Sequence, residues 1–211
     1  MSAVIDKVEE KIDLWNGFVD QMFPLQLKIN TKAWTNEEYF NFCQQHKDLR
    51  IETNKDGDLI IMPPTGAETG DRNAELTTQL RNWAKKDKKG KTFDSSTEFE
   101  LPSGAKKSPD ASWILKDRYF ALTQEERESF PPICPDFVAE LRSRTDRLKP
   151  LQEKMAEYIE NGVRLGWLID PYQKKVHIYR QNGEIEILEN PKTVSGEDVL
   201  EEFELDLEEI F

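Results

Sequence analysis

The chain has 211 residues, 37% of them hydrophobic and 10% aromatic, and a formal net charge of −12 at pH 7. This length suits one domain with trimmings and can bury a sizeable core, whereas the acidic excess excludes a broad electrostatic grip on nucleic acid, because phosphate binding rests on Lys and Arg. A local basic cleft stays open. No apolar run approaches the about 18 residues of a membrane span, and the mixed start MSAVIDKVEEK is unlike a secretory signal, so a cytoplasmic location without a membrane partner is expected.

Residues 1–33 read as an N-terminal accessory segment, helical or extended. Val4, Val8 and Ile12 stand at helical spacing, and Leu14, Trp15, Phe18 and Phe23 precede Pro24. The domain proper is expected over residues 34–211. It opens with a helix whose N-cap is Thr35, because Glu38 three residues later completes a capping box. LRIETNKDGDLIIMPP reads as a β-hairpin turning at Asp56-Gly57. The stretch from Gly66 to Lys91 is an amphipathic helix with Leu76, Leu80 and Trp83 on one face and a lysine-rich end. Strands follow in TFDSSTEFELPSGAKKSPDASWIL, then a surface excursion over residues 116–134 with a short helix near residues 123–128. PDFVAELRS is a strand, residues 145–161 a helix, and VRLGWLID, KKVHIYR and GEIEILE a meander with a turn at Asn182-Gly183. The acidic tail carries an apolar stripe expected to pack across the body. This order of elements predicts an α/β fold, a mixed sheet flanked by the helices beginning near Gly66 and Thr145. Cys43 and Cys134 lie far apart without CxxC spacing, so neither a zinc site nor a disulfide framework is expected.

Three segments carry candidate chemistry. SPDASWIL puts Asp110 at the start of a strand, PDFVAELRS puts Glu140 near the end of another, and the helix that follows carries Lys154. Two carboxylates at the ends of neighbouring strands can share one hard cation, since magnesium needs only one or two of them and keeps several waters. A lysine beside them can orient water or stabilise charge on phosphorus. Alternation in the strand places Phe137, Ala139 and Leu141 on one face, and Asp136, Val138 and Glu140 on the other. Helical periodicity makes Leu151, Met155, Tyr158 and Ile159 the buried stripe, with Lys154 on one border and Gln152 on the other. A border lysine contributes little packing, so Lys154→Ala is expected to remove activity and leave the fold intact. Each residue also has a plainer reading: Asp110 starting a strand or capping a turn, Glu140 in a salt bridge, Lys154 solvated.

At these residues the chain resembles the Uma-two family of restriction-endonuclease-like proteins, within the PD-(D/E)XK nuclease superfamily. The resemblance covers residues 31–211 and rests on the ordered set IETNKDGDLIIMPPTGAETGDRN, FDSSTEFELPSGAKKSPDASWI, CPDFVAELRS and LQEKMAEYIENGVRLGWLIDPYQKKVHIYR. It implies a restriction-endonuclease-like mixed β-sheet and a magnesium- or manganese-dependent endonuclease acting on DNA. In that reading Asp110 and Glu140 are the metal ligands, and Lys154 replaces the motif lysine that stands as Arg142 here. Glu68 or Glu52 would assist and Gln152 would orient Lys154. Arg142, Arg144, Arg147 and Lys149 would form a basic rim for nucleic acid. Thr69 stands where the family often has histidine, and Ser143-Arg144-Thr145 where it has an SPS stretch. A homodimer is a further expectation. Two other readings stay open: a nuclease-fold module that binds nucleic acid or protein without turnover, and a structural acidic domain.

Overall fold

The computed structural model describes residues 24–211; the helical spacing of Val4, Val8 and Ile12, and the apolar residues through Phe23, lie outside the described residues. A small three-stranded sheet comes first. Strand β1 (Leu25–Leu27) leads through a 3-10 turn at Thr31–Ala33 to helix α1 (Asn36–Gln45), and β2 (Arg50–Thr53) and β3 (Leu59–Met62) follow as a hairpin. The capping box of α1 forms as expected: Thr35 Oγ1 accepts from the Glu38 N–H, and the Glu38 carboxylate accepts from the Thr35 N–H. The hairpin turns at Gly57, whose φ is +85° and whose missing side chain leaves room for Lys32 and Thr31. β3 is the central strand, antiparallel to both β1 and β2.

Helix α2 (Ala67–Asp87) buries Leu76, Leu80 and Ala84. It stops short of Lys91, the limit the sequence pattern suggests. Lys88 takes a left-handed φ of 63°, because the run of lysines offers no apolar residue to continue the stripe, and Lys91 already belongs to β4 (Gly90–Asp94). The two-residue strands β5 (Phe99–Glu100) and β6 (Lys106–Lys107) pair with each other, and β7 (Ala111–Leu115) follows. The surface excursion holds α3 (Lys116–Ala121) and α4 (Gln124–Glu128) before β8 (Phe137–Leu141) and α5 (Leu148–Glu160). Helix α5 begins at Leu148, with Arg147 as N-cap, and not near Thr145. Pro150 is the reason. In the first turn its missing N–H is harmless, but in a helix begun at Thr145 it would leave a carbonyl without its donor and clash with the preceding turn. β9 (Leu165–Asp170), β10 (Lys175–Arg180) and β11 (Ile185–Glu189) form the meander, and β12 (Thr193–Ser195) and β13 (Glu204–Asp206) pair within the tail.

Six strands make the main sheet, in the order β11-β10-β9-β8-β7-β4. β8 and β9 are parallel and the other neighbours antiparallel. One face carries α2 and the tail: Leu76 and Leu80 meet Trp113, Phe137, Ala139 and Trp167, and Leu200, Phe203 and Ile210 complete the cluster. The other face carries α5, whose Met155 and Tyr158 pack with Val138, Leu168 and Tyr179. The alternation read in FVAEL is therefore the alternation that forms. α5 sits on β9 with the Met155 methyl over Gly166, where an added Cβ would come within 2.5 Å of it and that flexible side-chain end would have to shift. That seat decides where Lys154 reaches. Both cysteines are free thiols, and among the described residues no helix is long and apolar enough to cross a membrane.

Candidate active site

β7 and β8 are antiparallel neighbours with Ala111 opposite Ala139, so one step along the ladder Asp110 faces Glu140. Both are buried, at 7% and 4% exposure. Asp110 Oδ2 accepts from the Leu141 N–H at 2.8 Å. Glu140 shares the Val138 face and meets α5. There Lys154 Nζ lies 2.8 Å from Glu140 Oε1, and the Tyr158 hydroxyl, one helical turn on, donates to the same oxygen at 3.0 Å. A strand start, a strand end and a helix thus assemble Asp110, Glu140 and Lys154.

The small sheet reaches into the same place. Glu52 of β2 accepts from Lys154 Nζ at 2.8 Å and from the Ser108 N–H at 3.1 Å. Its other oxygen lies 3.8 Å from Lys107 Nζ, which is 3.2 Å from Glu157. Glu140, Lys154, Glu52, Lys107 and Glu157 therefore form a chain of alternating charge. Arg50, on the same face of β2 as Glu52, donates from Nη2 to the Ser108 carbonyl at 3.1 Å and to Asp110 Oδ1 at 3.3 Å. Asn73 of α2 donates to the same Asp110 oxygen at 3.4 Å. Glu52, Asp110 and Glu140 are balanced by Arg50, Lys107 and Lys154, which is what lets this many charges leave water.

Burial pushes the Glu140 carboxyl up from its ordinary value; Lys154 opposes this, while Asp110 and Glu52 add repulsion. Burial acts on Glu52 too, but Lys154 and Lys107 together outweigh it and hold the carboxyl low. Burial disfavours the charge on Lys154, yet Glu140 and Glu52 raise its pKa above the lysine value. Lys154 is a held cation here and not a proton acceptor. The Tyr158 phenol is pushed well above its usual range, first by burial and then by Glu140, so it acts as a donor.

The other expected residues scatter. Glu68 is 77% exposed and pairs with Arg72 at 3.0 Å; the inward face of α2 runs through Thr69, Leu76 and Leu80, and a glutamate one residue from Thr69 is turned about 100° away. Gln152 is half-buried and makes no hydrogen bond to Lys154; Glu52 holds that lysine instead. Arg142 is tied to the fully buried Asp170 at 2.7 Å and to the Asp146 carbonyl. Arg144 and Arg147 are exposed in the loop before α5, and Lys149 is exposed beside Glu153. Arg50, Asn73, Lys107 and the Tyr158 hydroxyl are the members that sequence reasoning missed. The signal available was RIET, where two charged residues share one face of a strand, and the four-residue spacing of Lys154 and Tyr158 on a helix. Among the described residues no group of three or more His, Cys, Asp or Glu is arranged to hold a metal ion.

The fold is similar to the crystal structure of a "putative nuclease belonging to DUF820" from Anabaena variabilis ATCC 29413. The TM-score is 0.67 at 20% identity, covering 84% of this chain and 97% of that one, a likeness of fold. A weaker likeness, TM-score 0.37 at 17% identity, covers 57% of this chain and 10% of a chain in the cryoEM structure of a DrdV-DNA complex. No curated protein matches the chain. The family model Uma2, described as "Putative restriction endonuclease", matches residues 36–208, and with most of its length matched the chain belongs to the Uma2 family.

Proposed function

We propose that the protein is a divalent-metal-dependent endonuclease that hydrolyses DNA phosphodiester bonds. The observation that carries this reading is the placing of Lys154 2.8 Å from Glu140, with Asp110 opposite Glu140 on the next strand. The family to which the chain belongs is independent support. The donors suit a hard cation. Asp110 and Glu140 offer carboxylate oxygens, and Asn73 Oδ1 nearby is buried without a hydrogen-bond partner among the described residues. Mg2+ or Mn2+ takes such oxygens and keeps its waters, and Asp110 and Glu140 would hold it. When bound, such an ion polarises the phosphate and makes its water more acidic. The chain's own residues do the rest. Lys154 supplies a fixed positive charge against the charge that develops on phosphate oxygens. The Tyr158 hydroxyl and the Leu141 N–H fix the Glu140 and Asp110 carboxylates in place. Arg144, Arg147 and Lys149 are the exposed rim for neighbouring phosphates, while Arg142 steadies their loop through Asp170 and Asp146.

The test is cleavage of single-stranded DNA, duplex DNA and RNA with Mg2+, with Mn2+ and with chelator. The expected result is metal-dependent cutting of DNA that Glu140→Gln removes. DNA binding without cutting under any of these conditions would replace this reading with the alternative, a nuclease-fold binding module, which the net charge of −12 already makes the stronger rival.

A further inference from the structure

Beside Asp110, Arg50 Nε is a buried donor that lacks a partner among the described residues. A buried donor without a partner calls for an explanation, such as strain, a catalytic role or a bound water or ligand. The Nη2 contact to Asp110 is long, 3.3 Å, where a charge-assisted hydrogen bond runs about 2.7–2.9 Å, and the same nitrogen is shared with the Ser108 carbonyl at 3.1 Å. Arg50 Nη1 likewise donates to no described residue, and the side chain is one-third exposed, at 33%. Its guanidinium is charged at any ordinary pH. The result is a charged fork, loosely held beside the carboxylate pair, with spare donors in the planar arrangement that matches phosphate oxygens.

We propose that Arg50 is the phosphate-binding residue of this site, taking a non-bridging oxygen of the DNA phosphodiester and resting on Asp110 between substrates. The proposal deepens the nuclease reading and rests on it for the identity of the phosphate. It also gives the small sheet a task. β2 carries Arg50 to the substrate and Glu52 to Lys154 from two neighbouring positions of one strand face.

The experiment follows the Arg50 Nε–Hε resonance in arginine-labelled protein, assigned by its loss in Arg50→Lys. The probes are inorganic phosphate and then a fluorescein-labelled DNA duplex in chelator. The resonance is expected to shift saturably with both. In parallel, fluorescence anisotropy over a salt series reads affinity. Arg50→Gln is expected to weaken duplex binding on the order of tenfold to a hundredfold and to lower the salt slope by about one contact. Arg50→Lys, which keeps the charge and serves as the second variant should Arg50→Gln fold poorly, is expected to keep the slope and recover part of the affinity. A resonance that ignores both probes while the wild-type protein cuts DNA overturns the subsite and leaves the nuclease reading standing, as does an unchanged salt slope in Arg50→Gln. A resonance that answers phosphate in a protein that cuts nothing upholds the anion subsite and removes the nuclease reading.

Discussion

At the scale of single residues, Lys154 shows how burial changes an expectation. Its place on the border of the α5 stripe suggests a side chain that can be trimmed without harm to the fold. The structure places its ammonium between Glu52 and Glu140, 2.8 Å from each. Removing it strands two buried carboxylates, and breaking a buried pair costs about 3–5 kcal/mol. Lys154→Ala should therefore lose cleavage and also lower the unfolding free energy, read from the urea midpoint, by that order at neutral pH. Adding Glu52→Gln should return part of the stability and none of the activity. An unchanged midpoint would mean that the charge chain is not formed in solution. Glu140 and Asp110 were legible as candidates because a charged residue inside FVAEL, or closing SPD at a strand start, demands a partner. Glu52 was legible only as an assistant, since nothing in RIET shows which lysine stands opposite.

At the scale of elements, helix α1 beside the small sheet meets the start of the β5-β6 pair at a buried clasp. Tyr39 of α1 donates its hydroxyl to Glu98, just before β5, at 2.9 Å. The Glu98 carboxyl is pushed up to about 8, chiefly by burial; the Tyr39 hydrogen bond works against this, Glu52 adds to it, and Lys106 and Lys107 oppose it. A carboxyl held protonated in the fold, yet ionised in the unfolded chain above about pH 4.5, weakens the fold as pH rises. Its contribution should fall between about pH 4.5 and 8, by at most ~1.4 kcal/mol for each step of one in pH, and level off above that window. Glu98→Gln keeps an acceptor for Tyr39 and removes the titration. The variant should match wild type near pH 4 and exceed it at about pH 9 in chemical denaturation; equal stability at both would show that Glu98 ionises freely in the fold. Because Arg50 and Glu52 ride on the small sheet, loosening the clasp also loosens the site.

For the whole molecule, the proposed site predicts a response to metal. An ion that binds the native state alone stabilises it by about 2.7 kcal/mol at a hundredfold excess over its dissociation constant. Millimolar Mg2+ should raise the melting temperature of wild type and leave Asp110→Asn unmoved, the comparison being the change on adding metal, since Asp110 also accepts from the Leu141 N–H. A melting temperature insensitive to Mg2+ in both would count against a metal site. The gain should come from occupancy more than from relief of repulsion, because Arg50 and Lys154 already stand against Asp110 and Glu140.

The sequence by itself determined most of the elements and the α/β class, and it put forward Asp110, Glu140 and Lys154 as candidates. These follow from local rules: side-chain periods of two and about 3.6, the capping box at Thr35, and the cost of a carboxylate in an apolar strand. Its two boundary errors, at Lys91 and at Leu148, arose where a lysine run and Pro150 end or delay a helix that the pattern alone would prolong. Only the tertiary structure decided which charges meet. Lys154 joins Glu52 across 102 residues of chain and Arg50 joins Asp110 across 60, and such pairings depend on how the small sheet docks against the main one. The same packing turns Glu68 outward and ties Arg142 to Asp170. A charged side chain carries no record in sequence of the partner that burial will give it.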